Sequence, residues 1–248
     1  MGVTGVGSFL AAAGELVLPR TCAGCGRTGP AVCSGCRDEL ARLALPTTAP
    51  VAPRPVPPGW PGCTGTIRYD GVAARLARAF KDDDRRDLVR PLGRLLADAV
   101  ERAIAGERDG PVGGAPSVLV PVPSSPAALR RRGDHPTLLL ARVAAQTLAA
   151  GVEARAVLRM ARGTADQAGL DRSARAANLA GAMVVTRPAL VRGRRCVLVD
   201  DVLTSGATLT EGRRALLAAG AARVDLAVAL VTPPRSPSLG LPFRPRPD

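Results

Sequence analysis

The stretch Cys196-Val-Leu-Val-Asp200-Asp201-Val-Leu-Thr204-Ser205-Gly206-Ala207-Thr208 decides the reading of this chain. Four apolar residues predict a buried strand, two acids end it, and a small hydroxyl-rich turn opens a helix predicted over 207–219. Ligands of open α/β sheets bind beyond the carboxyl ends of the strands, where Asp200 and Asp201 emerge. Backbone N–H groups at a helix start favour an anion, and Thr204, Ser205 and Thr208 add hydroxyl donors, so this half of the segment suits a phosphate. Adjacent carboxylates beside a phosphate cradle fit a ligand that also presents hydroxyls, as a ribose does, or a divalent cation. The bland alternative is an acidic strand end followed by a Thr-Ser helix cap. It leaves two carboxylates next to an anion-binding turn with nothing to hold.

Outward from this segment, strands alternate with helices. Strands are expected near 64–69, 117–122, 154–159, 182–186, 195–200 and 223–231, and helices near 71–80, 91–105, 136–150 and 207–219. That alternation predicts an α/β fold with a mostly parallel sheet flanked by helices. Residues 46–61 carry seven prolines, which deny a helix or a central strand and make a semi-rigid linker. The expected organisation is therefore an N-terminal module over 1–45, with a helical stripe at 3–18 followed by cysteines, a linker over 46–61, a main domain over 62–232 and a disordered Pro-rich tail over 233–248.

The module holds Cys22-Ala-Gly-Cys25 and Cys33-Ser-Gly-Cys36, two knuckles that can point four thiolates at one ion. Structural Zn²⁺ is the expectation, with two disulfides, a redox pair or an iron–sulfur centre as alternatives. Cys196 reads as a small core residue.

Composition closes off much chemistry. The 248 residues include one histidine, His135, so multi-His metal sites are excluded; His135 precedes Pro136 at a helix start and is expected to cap it or lie exposed. Lys81 is the only lysine, so Schiff-base chemistry has one position available, and no G-x-x-x-x-G-K-[ST] loop occurs. Aromatic residues are 2% of the chain, which argues against base stacking on a nucleic-acid sheet. The net charge of +13 suits a phosphate-rich partner, although Arg in place of Lys throughout also reads as a compositional bias. No stretch reads as a membrane span, secretory signal or myristoylation site, so a cytoplasmic protein without membrane insertion is expected.

Residues 196–208 resemble the phosphoribosyl-pyrophosphate motif of type I phosphoribosyltransferases, and the chain from 18 to 232, linker apart, resembles the ComF family, in which a cysteine knuckle module precedes such a domain. The landmarks are Leu18-Pro19, Tyr69-Asp-Gly71 before a helix ending at Lys81, Val120-Pro121-Val122-Pro123, Arg162-Gly-Thr164-Ala-Asp-Gln167 and Arg175-Ala-Ala-Asn178. One departure is Arg132-Gly133-Asp134-His135-Pro136, where the family usually has Arg-Gly-Phe-Asn-Gln.

The resemblance implies that Asp200 and Asp201 hold the ribose hydroxyls, and that Thr204, Ser205, Gly206, Ala207 and Thr208 wrap the 5′-phosphate. Arg132 is expected on the pyrophosphate side, in a loop made by Val120–Ser125 with Arg130–Arg132, the alternative being a basic helix start facing solvent, while Arg162, Gln167 and Arg175 fall in 160–178, a candidate lid or a plain surface loop. It also implies phosphoribosyl pyrophosphate with Mg²⁺, and displacement of pyrophosphate from ribose C1′ by a nitrogen nucleophile. The family's association with natural competence opens a second reading, a binding module for incoming single-stranded DNA that works with competence-machinery proteins.

Overall fold

The computed structural model describes residues 21–46, 50–105, 118–124, 129–130, 133–148, 151–161 and 179–233. Its strands are β1 (Thr64–Arg68), β2 (Val118–Pro121), β3 (Glu153–Ala154), β4 (Leu158–Met160), β5 (Met183–Val185), β6 (Arg195–Leu203) and β7 (Arg223–Val231). Its α-helices are α1 (Ser34–Arg42), α2 (Gly71–Asp82), α3 (Val89–Ala105), α4 (Pro136–Thr147) and α5 (Ala207–Ala218). The helical stripe expected over 3–18, most of the candidate lid and the tail beyond 233 lie outside the described residues.

Five strands form one sheet in the order β1-β7-β6-β2-β3, every pairing parallel. The expected α/β architecture with a mostly parallel sheet flanked by helices is the one observed. Because the sheet is covered on both faces, its central strands are apolar on both sides rather than alternating. In β6, Val197 and Val199 face one apolar cluster with Leu76, Leu96 and Leu140 of α2, α3 and α4, while Cys196 and Leu198 face the other with Leu209 and Leu216 of α5. Cys196 is fully buried. Each such leucine removed from water stabilises the fold by roughly 1.5–3 kcal/mol.

The single strand expected at 154–159 is two. Glu153–Ala154 pairs with β2 in the main sheet, whereas Leu158–Met160 pairs antiparallel with β5 in a separate two-stranded ribbon. Between them the Val157 amide donates to the Arg155 carbonyl, a tight turn that lifts the chain off the sheet. The apolar run alone carries no mark of where it changes sheet. A helix not foreseen, α1, follows the N-cap Cys33 and packs the four-Cys segment against the start of α2.

The chain order places a switch point between β2 and β6. After β2 it moves outward through α4 to β3, and after β6 it moves the other way through α5 to β7. A crevice opens at such a point, outside the carboxyl ends of the two strands.

Candidate functional site

Strand β6 outruns its neighbour on one side. Its ladder with β2 ends at Pro121↔Val199, closed by the Val122 amide donating to the Val199 carbonyl at 3.0 Å, whereas its ladder with β7 continues to Leu203↔Val231. Pro121 and Pro123 have no N–H with which to extend the β2 side. Asp200 and Asp201 therefore stand where β6 has a neighbour on one side only.

Asp201 is 7% exposed and its amide donates to Asp200 Oδ1 at 2.8 Å. Burial, and then the negative charge of Asp201, push the Asp200 carboxyl well above the usual carboxylate range. The turn that follows is shaped by Gly206, whose φ of 74° lies in the left-handed region. A Cβ at Gly206 would stand 2.9 Å from Pro53 Cγ and 2.9 Å from Trp60 Cζ3, so the Pro-rich segment lies directly against the turn. Trp60 Nε1 donates to the Val51 carbonyl at 3.2 Å, and the Val51 amide donates to the Cys63 carbonyl at 2.7 Å, which holds that segment in place.

Gly206 is also the N-cap of α5 and offers no side-chain cap. The Ser205 hydroxyl accepts from the Ala207 amide at 3.4 Å, a long bond that a stronger acceptor can replace. Thr204 is exposed, and Ser205, Ala207 and Thr208 are half-buried. A cleft of about 600 Å³ opens on this side, between Pro55, Val56 and Pro58 on one wall and Ser205, Ala207 and Arg214 on the other.

The site contains a residue that motif reading did not place. Lys81, in the last turn of α2, sets its Nζ 2.5 Å from Asp201 Oδ2. Burial pulls the lysine down, but the charges of Asp201 and Asp200 outweigh it and raise Lys81 above its ordinary value. The signal in the sequence was its uniqueness: one lysine where 34 positions carry Lys or Arg.

Arg132, Arg162, Gln167 and Arg175 lie outside the described residues. The two ends of the segment that carries the last three meet as the β4–β5 pair, where the Ala161 amide donates to the Ala182 carbonyl at 2.7 Å. Glu211 of α5 pins this ribbon: its Oε1 accepts the Met183 amide at 2.9 Å and Arg214 holds the carboxylate with both Nε and Nη2 at 2.8 Å. At the departing loop, Asp134 forms an ion pair with Arg86, and His135 takes the N-cap position of α4 half-buried, without a side-chain cap bond.

The ligand atoms of Cys22, Cys25, Cys33 and Cys36 all lie within 4.8 Å of one another. Cys25 Sγ and Cys33 Sγ are 3.6 Å apart, close to the separation of two sulfurs at ~2.3 Å from one tetrahedral zinc. Burial works against ionisation of Cys22, but the amides of Cys33, Gly24 and Cys25 outweigh it and lower the thiol to about 6. Four cysteine sulfurs around one point could hold a metal such as Zn²⁺. A Cβ at Gly24 would stand 2.6 Å from Cys36 Sγ and 2.6 Å from Val72 Cγ2, so only glycine lets the knuckle seat on α2. Arg75 Nε, also on α2, donates to the Gly24 carbonyl at 2.5 Å.

The family model of the phosphoribosyl transferase domain matches residues 138–238, which run from α4 to just past β7. The DNA utilization protein YhgH of Salmonella typhimurium is 30% identical over 207 residues, 83% of this chain and 86% of that protein. Its Escherichia coli counterpart of the same name is 32% identical over 172 residues, 68% and 72% of the two chains. Among solved structures, a hypoxanthine phosphoribosyltransferase from Trypanosoma cruzi aligns over 58% of this chain and 77% of its own, at 14% identity and a TM-score of 0.35, too distant to carry chemistry across. With relatives matched over most of both chains, a phosphoribosyltransferase domain and a four-Cys cluster before it, the chain belongs to the ComF-like family that includes the DNA utilization proteins YhgH.

Proposed function

We propose that residues 200–208 bind phosphoribosyl pyrophosphate and that the protein, in the cytoplasm, transfers its phosphoribosyl group to a nitrogen nucleophile with release of pyrophosphate. The observation that carries this reading is the joining of two carboxylates to a helix start whose N-cap, Gly206, has no side chain to cap it, at the open edge of β6. The carboxylates accept the ribose hydroxyls, and the turn's amides and hydroxyls receive the 5′-phosphate. With both ends of the sugar phosphate held, C1′ is presented toward the crevice beyond β2, and the anionic pair favours positive charge that develops on the ring as pyrophosphate leaves. The leaving group's charge calls for cations, and Arg132, Arg162 and Arg175 are the chain's candidates. Mg²⁺ would be brought by the diphosphate, whose oxygens suit it.

The test is isothermal titration of the zinc-replete protein with phosphoribosyl pyrophosphate and Mg²⁺, beside the Asp200→Asn/Asp201→Asn double variant. Saturable binding lost in the variant is the expected result, followed by a screen of nucleobases and amines for pyrophosphate release. Equal binding by both proteins would remove the site assignment.

A second reading is favoured by the relatives, which are named for DNA utilization, and by the cleft beside the phosphate turn. That cleft borders Ser205 and Ala207, so a strand whose phosphate sat in the turn would have room to continue past it. With a net charge of +13, affinity for single-stranded DNA would fall steeply with salt. Competition separates the two readings at one site: phosphoribosyl pyrophosphate should displace a 5′-phosphorylated oligonucleotide if the turn holds both, and leave it bound if DNA lies elsewhere.

A further inference from the structure

Lys81 is not a surface partner. Its side chain is 35% exposed and that of Asp201 10%, with 2.5 Å between the charged atoms. It reaches the acids from α2, a helix that also carries the contacts to the four-Cys cluster. An arginine there could clasp both oxygens of one carboxylate as a fork. An ammonium is a compact charge at the end of a stem, and it leaves acceptor capacity on both carboxylates for further donors.

Two adjacent carboxylates offer oxygen ligands of the kind a divalent ion takes. With Lys81 in place, such an ion must displace the ammonium or sit against a like charge. A neutral pair of neighbouring hydroxyls faces neither penalty, because it donates to the carboxylates while the ammonium stays.

We propose that Lys81 is the resident counter-cation of the Asp200–Asp201 pair and makes the sugar end of the site a receptor for a neutral vicinal diol, bound without a divalent cation. The inference rests on the reading of residues 200–208 as a sugar-phosphate site. Lys81 is thereby a positioning residue acting through Asp201, and any metal in the reaction belongs to the diphosphate.

Ribose 5-phosphate separates these roles, since it has the diol and the phosphate but no diphosphate. It is titrated calorimetrically into the zinc-loaded wild type, Lys81→Met and Lys81→Arg, in EDTA buffered with free zinc and again with Mg²⁺, with inorganic phosphate as a second probe. The wild-type affinity for ribose 5-phosphate should agree within about twofold in the two buffers, and Lys81→Met should lose about tenfold without Mg²⁺, the scale of one charge-assisted contact. Mg²⁺ should restore part of that loss by taking the vacated seat, a response that a merely structural lysine would not give. Lys81→Arg should keep the metal independence, and affinity for inorganic phosphate should be the same in all three proteins. Wild-type binding that requires Mg²⁺ would overturn the proposal, and this arm needs no variant to fold. So would a Lys81→Met protein that binds as the wild type does in EDTA. If neither ribose 5-phosphate nor phosphate binds in any buffer, the parent reading falls and takes this one with it.

Discussion

At the scale of single residues, the two acids of the motif should have opposite effects on stability. Asp200 is raised above its unfolded value by burial and by Asp201, so its ionisation costs the folded state. The sign follows from linkage: the penalty is absent below the ordinary carboxylate range and complete once pH exceeds the raised native value. Asp200→Asn should therefore raise the melting temperature where the native carboxyl is ionised while abolishing sugar-phosphate binding. Asp201→Asn removes the partner of a half-buried ammonium and should lower stability by about 1–3 kcal/mol. Calorimetric melting of both single variants checks this, and equal shifts of the same sign would refute it. Gly206→Ala combines a strained φ of 74° with a Cβ 2.9 Å from Pro53 and Trp60. It should reshape the turn and reduce phosphate affinity by about tenfold or more, the scale of a lost charge-assisted contact.

At the scale of elements, the β4–β5 ribbon is tied to α5 through Glu211. Burial opposes ionisation of Glu211, but Arg214 and the amides of Met183 and Gly181 outweigh it and hold the carboxyl below its usual range. A lowered acid stabilises the fold above its unfolded value and loses that contribution as pH falls through the native one. Glu211→Gln should cost about 1–3 kcal/mol at neutral pH, and the difference from the wild type should vanish in acid. Paired denaturation curves at the two pH values measure it. The elements themselves were largely legible in the chain, because strand and helix patterns are local. The split of the expected 154–159 strand was not, since sheet membership depends on which edge is free, β2 for Glu153–Ala154 and β5 for Leu158–Met160.

At the scale of the molecule, α2 links the two centres. Its start packs on the four-Cys cluster, where Cys22, Val32 and Cys36 share an apolar cluster with Val72 and Leu76, and its last turn delivers Lys81 to Asp201. Metal removal by chelator, or Cys22→Ser, should loosen residues 21–46 and also weaken ribose 5-phosphate binding. Titration before and after zinc removal tests the coupling, and unchanged affinity in the metal-free protein would show the two centres to be independent.

Residues 196–208 and the two cysteine pairs were readable without coordinates because each is a short segment whose chemistry is complete in itself. Strand, acids, turn and helix start follow one another along the chain, and two knuckles bring their thiolates together by local turns. The sequence by itself thus determined the α/β alternation, the candidate phosphate turn and the four-Cys cluster. Only the tertiary structure decided what stands around the turn. Lys81 arrives from a helix distant in sequence, and the Pro-rich segment, whose composition forbids regular structure without saying where it lies, covers Gly206 through Pro53 and Trp60. Those neighbours are set by the packing of helices on the sheet faces, a property of the whole fold that no local pattern encodes.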